Sequence, residues 1–222
     1  MPRNIDHILK WYVILLIEMQ ISSIEEILAD FKKGQFVIMV DHKDRENEGD
    51  LMIAAEHVTA EKINFLIKEA RGLICLTLNH LQVDQLKIPM MISEAHSTPM
   101  NHAAFTYSIE AARGITTGIS ARERAHTIIT AIQPNAKPSD IVSPGHVFPL
   151  KAVPGGVLAR AGHTEASVDL AALAGLNPSA VLCEILDDEG DAGINEYLQR
   201  FSKKFSIKIG AVDDLVAYRK KM

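Results

Sequence analysis

Two short apolar runs, residues 36–40 and 51–55, flank the ten residues Asp-His-Lys-Asp-Arg-Glu-Asn-Glu-Gly-Asp at 41–50. Each run has the length and β-branched content of a buried strand, and Gly49 allows the chain to turn between them. Eight of the ten intervening residues are charged or potentially charged. A hairpin loop needs no such density of carboxylates. Composition alone reads this stretch as a solvated charged turn. The sharper reading is that Asp41, Asp44, Glu46, Glu48 and Asp50, with Lys43 and Arg45 among them, hold a hard cation and an anionic ligand together.

The remaining elements follow from periodicity. Ser23 with Glu26 three residues on opens a helix that carries Ile24, Ile27, Leu28 and Phe31 on one face and stops at Gly34. A second amphipathic helix is expected over 59–70, with Ile63, Leu66, Ile67 and Ala70 on one face, and a strand over 73–78. A strand is expected over 104–110. A helix should then run over 121–132, capped by Ser120 with Glu123 in the reciprocal position. A strand-like run enters a turn at Arg160, and a helix capped by Thr164 leaves it. Strands over 181–186 and 207–209, a helix between them and a terminal helix complete the pattern. Helices alternating irregularly with pairable strands predict an α/β or α+β domain, with helices packed around a mixed sheet.

A chain of 222 residues suits one substantial core. We expect a single domain over 22–222 behind an N-terminal extension, 1–21. The seven-residue apolar run at 11–17 is too short to span a bilayer and lacks the small-residue site of a signal peptide. An ordered extra helix and a disordered or non-native leader are both open for it. The net charge of −5 argues against a general nucleic-acid surface. Cys75 and Cys183 sit inside apolar runs, which suggests buried thiols rather than a disulfide framework or zinc site, in a reducing cytoplasm.

Several polar residues outside the acidic stretch are candidates for a site. His96, Asn101 and His102 occur in an aperiodic stretch, 89–102, that reads either as a ligand-facing loop or as a surface loop. Thr116 and Thr117 lie in a glycine-rich turn. His146, bracketed by two prolines, reads as structural when taken alone. In the run Arg160-Ala161-Gly162-His163-Thr164, a helix N-terminus suits a phosphate, Arg160 adds a forked donor, and His163 offers a ring nitrogen to a metal. Glu184 ends an otherwise apolar strand and needs a partner or a task. No nucleophilic triad, phosphate-binding Gly-Lys-Ser/Thr loop or dinucleotide fingerprint is present. The parts suggest metal-assisted acid–base chemistry on a small anionic substrate.

The strings at 44–51 (Asp-Arg-Glu-Asn-Glu-Gly-Asp-Leu), 72–76, 114–120, 137–140, 144–150, 155–158, 162–166, 181–184 and 213–219, taken in order, resemble the 3,4-dihydroxy-2-butanone 4-phosphate synthase family of riboflavin biosynthesis. The resemblance covers roughly residues 23 to 219. It implies a three-layer fold and a homodimer with sites near the interface. The implied reaction takes D-ribulose 5-phosphate to L-3,4-dihydroxy-2-butanone 4-phosphate and formate.

By the same resemblance Glu46 and His163 are ligands to Mg2+ or Mn2+, with up to two ions per site. Arg45, Glu46, Asp50, Thr117, Arg160, Ala161, Gly162, His163, Thr164 and Glu184 would contact substrate. Asp50 and Glu184 would transfer protons, with His146 assisting from near a subunit boundary and Cys75 close by. No nucleic-acid or membrane partner is implied. The lack of a cysteine-rich zinc motif leads us to expect the single-function form, without a fused GTP cyclohydrolase II domain. Two departures stand out. His42 and Lys43 occupy positions where the family carries more acid, and Ala161 replaces a usual glycine, which matters only if that backbone needs a positive φ. The rival readings are another metal-dependent phosphosugar lyase or isomerase, and a non-catalytic sugar-phosphate-binding module.

Overall fold

A computed structural model describes residues 20–92 and 103–222. The apolar run at 11–17 and the loop candidates His96, Asn101 and His102 lie outside these residues. The first helix, α1 (Ile24–Lys32), begins at a reciprocal cap. Ser23 Oγ accepts from the Glu26 N–H at 3.3 Å, and Glu26 Oε2 accepts from the Ser23 N–H at 3.1 Å. Gly34, at φ +72°, ends it.

The two apolar runs pair as predicted. Strands β1 (Val37–Val40) and β2 (Gly49–Ala54) are antiparallel, with Val37 opposite Met52 and Val40 opposite Gly49. They join β3 (Cys75–Leu78), β4 (Ile109–Ala111), β5 (Ile141–Lys151), β6 (Ser179–Glu184) and β7 (Ile209–Ala211) in a sheet of order β4-β5-β3-β6-β2-β1-β7. The pairs β1–β7 and β3–β5 are parallel and the others antiparallel.

Side chains along β1 alternate between two cores. Ile38 and Val40 face one core, shared with α2 (Ala60–Phe65), α3 (His80–Leu86), α4 (Ala121–Ala131) and α6 (Asn195–Phe205). Val37 and Met39 face the other, shared with α1, α5 (His163–Leu173) and α7 (Val212–Arg219). A strand buried on both faces loses the polar alternation of a half-exposed one, hence its continuous apolar sequence. The result is the expected three-layer α/β architecture. No described helix is long and apolar enough to cross a membrane.

Several local expectations need correction. The helix expected over 59–70 is α2 followed by a π-helical turn, Leu66–Ala70, and this change of pitch leaves Ile67 exposed while Ile63, Leu66 and Ala70 stay buried. The strand expected over 104–110 shrinks to β4; Phe105 and Thr106 make only isolated bridges, to Leu150 and Met90. The run before Arg160 is a 3-10 turn, Gly156–Leu158, not a strand. Conversely, β5 was not predicted. Prolines 144 and 149 disguise it, and they are tolerated because the strand changes partners, from β4 over its first part to β3 over 148–151.

The irregularity in the β4–β5 pairing brings the backbone of β4 close to Gly145. A Cβ there would lie 2.1 Å from the Ile109 carbonyl carbon and oxygen, atoms that cannot rotate away. Gly145→Ala is therefore expected to lower stability by about 1–3 kcal/mol, read as an earlier midpoint in urea unfolding.

Candidate active site

The β2–β6 register brings two acids face to face. Asp50 at the start of β2 lies directly opposite Glu184 at the end of β6. Facing carboxylates weaken a sheet unless something else offsets their repulsion. Glu184 has one fixed donor, the Leu73 N–H at 2.8 Å. Gly72 makes room for this contact, since a Cβ there would sit 2.4 Å from the Glu184 carbonyl oxygen and 2.7 Å from Oε2. The expectation that Glu184 has a partner is met. Asp50 is buried, and its Oδ1 has no hydrogen-bond partner among the described residues.

The loop between β1 and β2 is organised by Asp41. Its carboxylate accepts from the N–H groups of Glu48 at 2.9 Å and Glu46 at 3.0 Å, and from Arg45 Nη1 at 2.8 Å. Burial opposes its ionisation, but these donors outweigh burial and hold the Asp41 carboxyl below the usual carboxylate range. Arg45 Nη1 also lies 2.7 Å from Glu46 Oε2. The charged loop is therefore folded inward around a buried acid and is not simply a solvated turn.

Helix α5 closes the site from the neighbouring layer. Its N-cap is Gly162, so His163 and Thr164 are its first two residues, and both are buried. This corrects the expectation that Thr164 caps the helix. His163 and Thr164 nonetheless bring the first turn of the helix to the pocket wall. His163 Nδ1 lies 3.7 Å from Asp50 Oδ2 and 3.8 Å from Glu46 Oε2. Ala161 is not among the positive-φ residues, so alanine there carries no backbone penalty.

Arg45, Glu46, Glu48, Asp50, Arg160, His163, Thr164 and Glu184 line one cavity of about 230 Å3. Cys75, Phe105, Leu150 and Leu182 form its apolar wall. Burial pushes the Asp50 carboxyl up to about 7; His163 opposes the shift, while Glu184, Glu48 and Glu46 add to it. Burial disfavours charged His163, but Asp50 and Glu46 overcome this and raise its pKa. His163 and then Arg45 draw the Glu46 carboxyl down against its own burial. The Cys75 thiol is pushed up by burial and by Glu184 and Asp50, so it contributes a neutral group to the wall.

Two candidates stand apart from this cavity. His146 lies on β5, and its Nδ1 is paired with the Glu110 carboxylate of β4. Thr117 Oγ1 donates to Glu123 Oε2 at 3.4 Å. Neither lines the pocket within one chain. Ser120 caps α4 as expected, but Glu123 does not complete the reciprocal cap. Its carboxylate instead takes the Thr116 hydroxyl and N–H, the Gly118 N–H and the Ser120 hydroxyl, which together hold it down to about 2.

Sequence reasoning gave no individual task to Asp41 or to Glu165, a buried acid in the first turn of α5. Asp41 was visible only as one carboxylate among several, and Glu165 resembles an ordinary helix-dipole acid.

The donor set suits a hard divalent cation. Asp41, Glu46 and His163 each offer an atom, and these atoms lie within 4.8 Å of one another. His163 Nε2 and Asp50 Oδ1 are buried without hydrogen-bond partners among the described residues. Fold and site together define a three-layer α/β protein with a carboxylate–imidazole centre beside two arginines. The chain belongs to the 3,4-dihydroxy-2-butanone 4-phosphate synthase family, whose model matches residues 25–218.

It is 56% identical over 199 residues to the 3,4-dihydroxy-2-butanone 4-phosphate synthase of Neisseria meningitidis serogroup A, covering 90% of this chain and 54% of that protein. It is 54% identical over 208 residues to the riboflavin biosynthesis protein RibBA of Aquifex aeolicus, covering 91% and 50%. The chain thus spans about half the length of these curated relatives. Among solved structures, RibBX, a two-domain synthase from A. baumannii, superimposes with TM-score 0.85 and 52% identity over 89% of this chain and 58% of that one. A synthase in complex with two magnesium ions superimposes with TM-score 0.84 and 40% identity over 90% and 98%.

Proposed function

We propose that this protein is a lyase that converts D-ribulose 5-phosphate to L-3,4-dihydroxy-2-butanone 4-phosphate and formate, with residues 22–222 as its catalytic domain. The observation that carries this reading is one cavity in which buried Asp50 and half-buried Glu184 meet His163, Glu46, Arg45 and Arg160. Family membership and the magnesium-bound relative support it.

Glu46 and His163 would hold the divalent ion, Mg2+ or Mn2+. When bound, it would supply charge stabilisation at neighbouring sugar oxygens. Arg160, Thr164 and the first turn of α5 bind the phosphate end, and Arg45 reaches the same substrate. Asp50 takes a proton from the sugar carbon skeleton and returns it, because a carboxyl titrating near neutrality exists in both forms at working pH. Glu184 stands opposite as the second proton-transfer group. Phe105, Leu150 and Leu182 exclude water from one side, and neutral Cys75 packs beside them.

We further propose that a second copy completes the site. Val142 on β5, Tyr107 just before β4 and Ile119 in the turn before α4 are exposed apolar residues of the kind that a second protomer covers. Covering that surface with another protomer brings His146 and Thr117 to the neighbour's cavity, which lacks both.

Incubation with D-ribulose 5-phosphate and magnesium, followed by NMR, tests the reaction. Formate and a four-carbon phosphate should appear in equal amounts. A new five-carbon sugar phosphate without formate would instead mark an isomerase, and binding without turnover a non-catalytic module.

A further inference from the structure

We propose that Glu165 is a positioning residue that holds the Arg160 guanidinium where it meets a phosphate group. This rests on the assignment of Arg160 to the phosphate in the proposed function. Glu165 is the third residue of α5 and is 1% exposed. Its two oxygens are used by two different segments. Oε2 accepts from Arg160 Nη1 at 2.5 Å, and Oε1 accepts from the Val153 N–H, in the segment just after β5, at 3.2 Å. One buried carboxylate thus ties that segment and the arginine side chain to the start of the helix.

Gly162 shows how tightly the region is built. A Cβ at that position would lie 2.4 Å from Arg160 Nη1 and 3.0 Å from Arg45 Nη2. Two guanidinium groups therefore close over one bare backbone position at the helix N-terminus. Each is backed by an acid, Arg45 by Asp41 and Arg160 by Glu165. An acid behind an anion-binding arginine lowers the positive charge that the anion meets. Charge alone would therefore make Glu165 unfavourable for binding. What the acid supplies is orientation: it restricts a long side chain at the cavity wall before the ligand arrives.

These two effects have opposite signs, which makes the idea testable. Glu165→Gln is nearly isosteric, keeps an acceptor for the Val153 N–H and removes the charge. Inorganic phosphate binding should be measured by calorimetry for the unsubstituted protein, Glu165→Gln, Arg160→Met and the double variant, with thermal unfolding as a check on folding. Glu165→Gln is expected to bind phosphate about tenfold more weakly, the size typical for loss of an outer partner behind a ligand-binding group. In the Arg160→Met background the same change should have little further effect. In turnover, the Glu165→Gln effect should fall on KM more than on kcat.

Phosphate binding by folded Glu165→Gln that equals or exceeds that of the unsubstituted protein would overturn the proposal, because charge alone predicts that result. Should Glu165→Gln fail to fold, 15N NMR of the unsubstituted protein decides. Resolved Arg160 Nη signals indicate the restrained guanidinium expected here, and fully averaged signals overturn it. Absence of formate from the unsubstituted protein would count against the proposed function alone. Normal formate release with unaltered phosphate binding in Glu165→Gln would count against this inference alone.

Discussion

Asp50→Asn is expected to inactivate the protein and to stabilise its metal-free form at the same time. Asp50 is buried, has one oxygen without a partner among the described residues, and faces Glu184 across the β2–β6 pair. Its carboxyl titrates at about 7 against a reference value of 3.8. Between those values the native state holds a proton that the unfolded chain has lost. Stability should therefore fall as pH rises from about 4 to 7, by an upper limit of roughly 4 kcal/mol at about 1.4 kcal/mol per pKa unit.

Asparagine cannot ionise and escapes that loss. The variant should unfold later than the unsubstituted protein at pH 8, by about 1–3 kcal/mol once the cost of burying the amide is included. The difference should nearly vanish at pH 4. Activity should fall by a factor of about 100 to 10,000, the usual contribution of a positioned acid–base group. Urea titrations at pH 4, 6 and 8 in a chelator, beside turnover assays, check both effects. An Asp50→Asn variant no more stable at pH 8 than at pH 4, relative to the unsubstituted protein, would contradict the placement of this acid.

The second large effect is recovery of activity on mixing two inactive variants. Glu46→Gln removes a group of the cavity, whereas His146→Ala removes a group on the distant β4–β5 ribbon. If the cavity of one protomer is completed by the ribbon of its partner, each homodimer lacks one group at both sites. A mixed dimer then concentrates both defects in one site and leaves the other whole. Random reassortment makes about half the dimers mixed, so activity should return to about a quarter of the unsubstituted level. Co-refolding the two variants and measuring turnover against mixing ratio checks this. No recovery, with mixed dimers shown to form, would mean that His146 acts within its own chain or not at all.

The sequence made different levels of this structure legible for different reasons. The β1–β2 pair was readable because doubly buried strands leave continuous apolar runs, and the capping box of α1 because both of its partners lie within four residues. The Arg-Glu pair at 45–46 and the Gly-His-Thr turn at 162–164 were readable as a resemblance, and the fold brings them to one cavity. What linked them was not readable. The opposition of Asp50 and Glu184 depends on β2 and β6 being neighbours, a pairing across more than a hundred residues that no local pattern encodes. Asp41 and Glu165 were missed for a related reason. A carboxylate that organises a loop or restrains an arginine looks in sequence like any surface acid, and only burial and its hydrogen bonds give it a task. The length of β5 was hidden by its prolines, and the π turn after α2 by a hydrophobic spacing that suits an ordinary helix.

The most direct test of the central claim is formate release from D-ribulose 5-phosphate, measured with and without magnesium for the unsubstituted protein, Glu46→Gln and His163→Ala. The structure leads us to expect formate that depends on the metal in the unsubstituted protein and falls at least about a hundredfold in either variant. Formate release that is indifferent to chelation, or that survives both substitutions in folded protein, would contradict the assignment of this cavity as the active site.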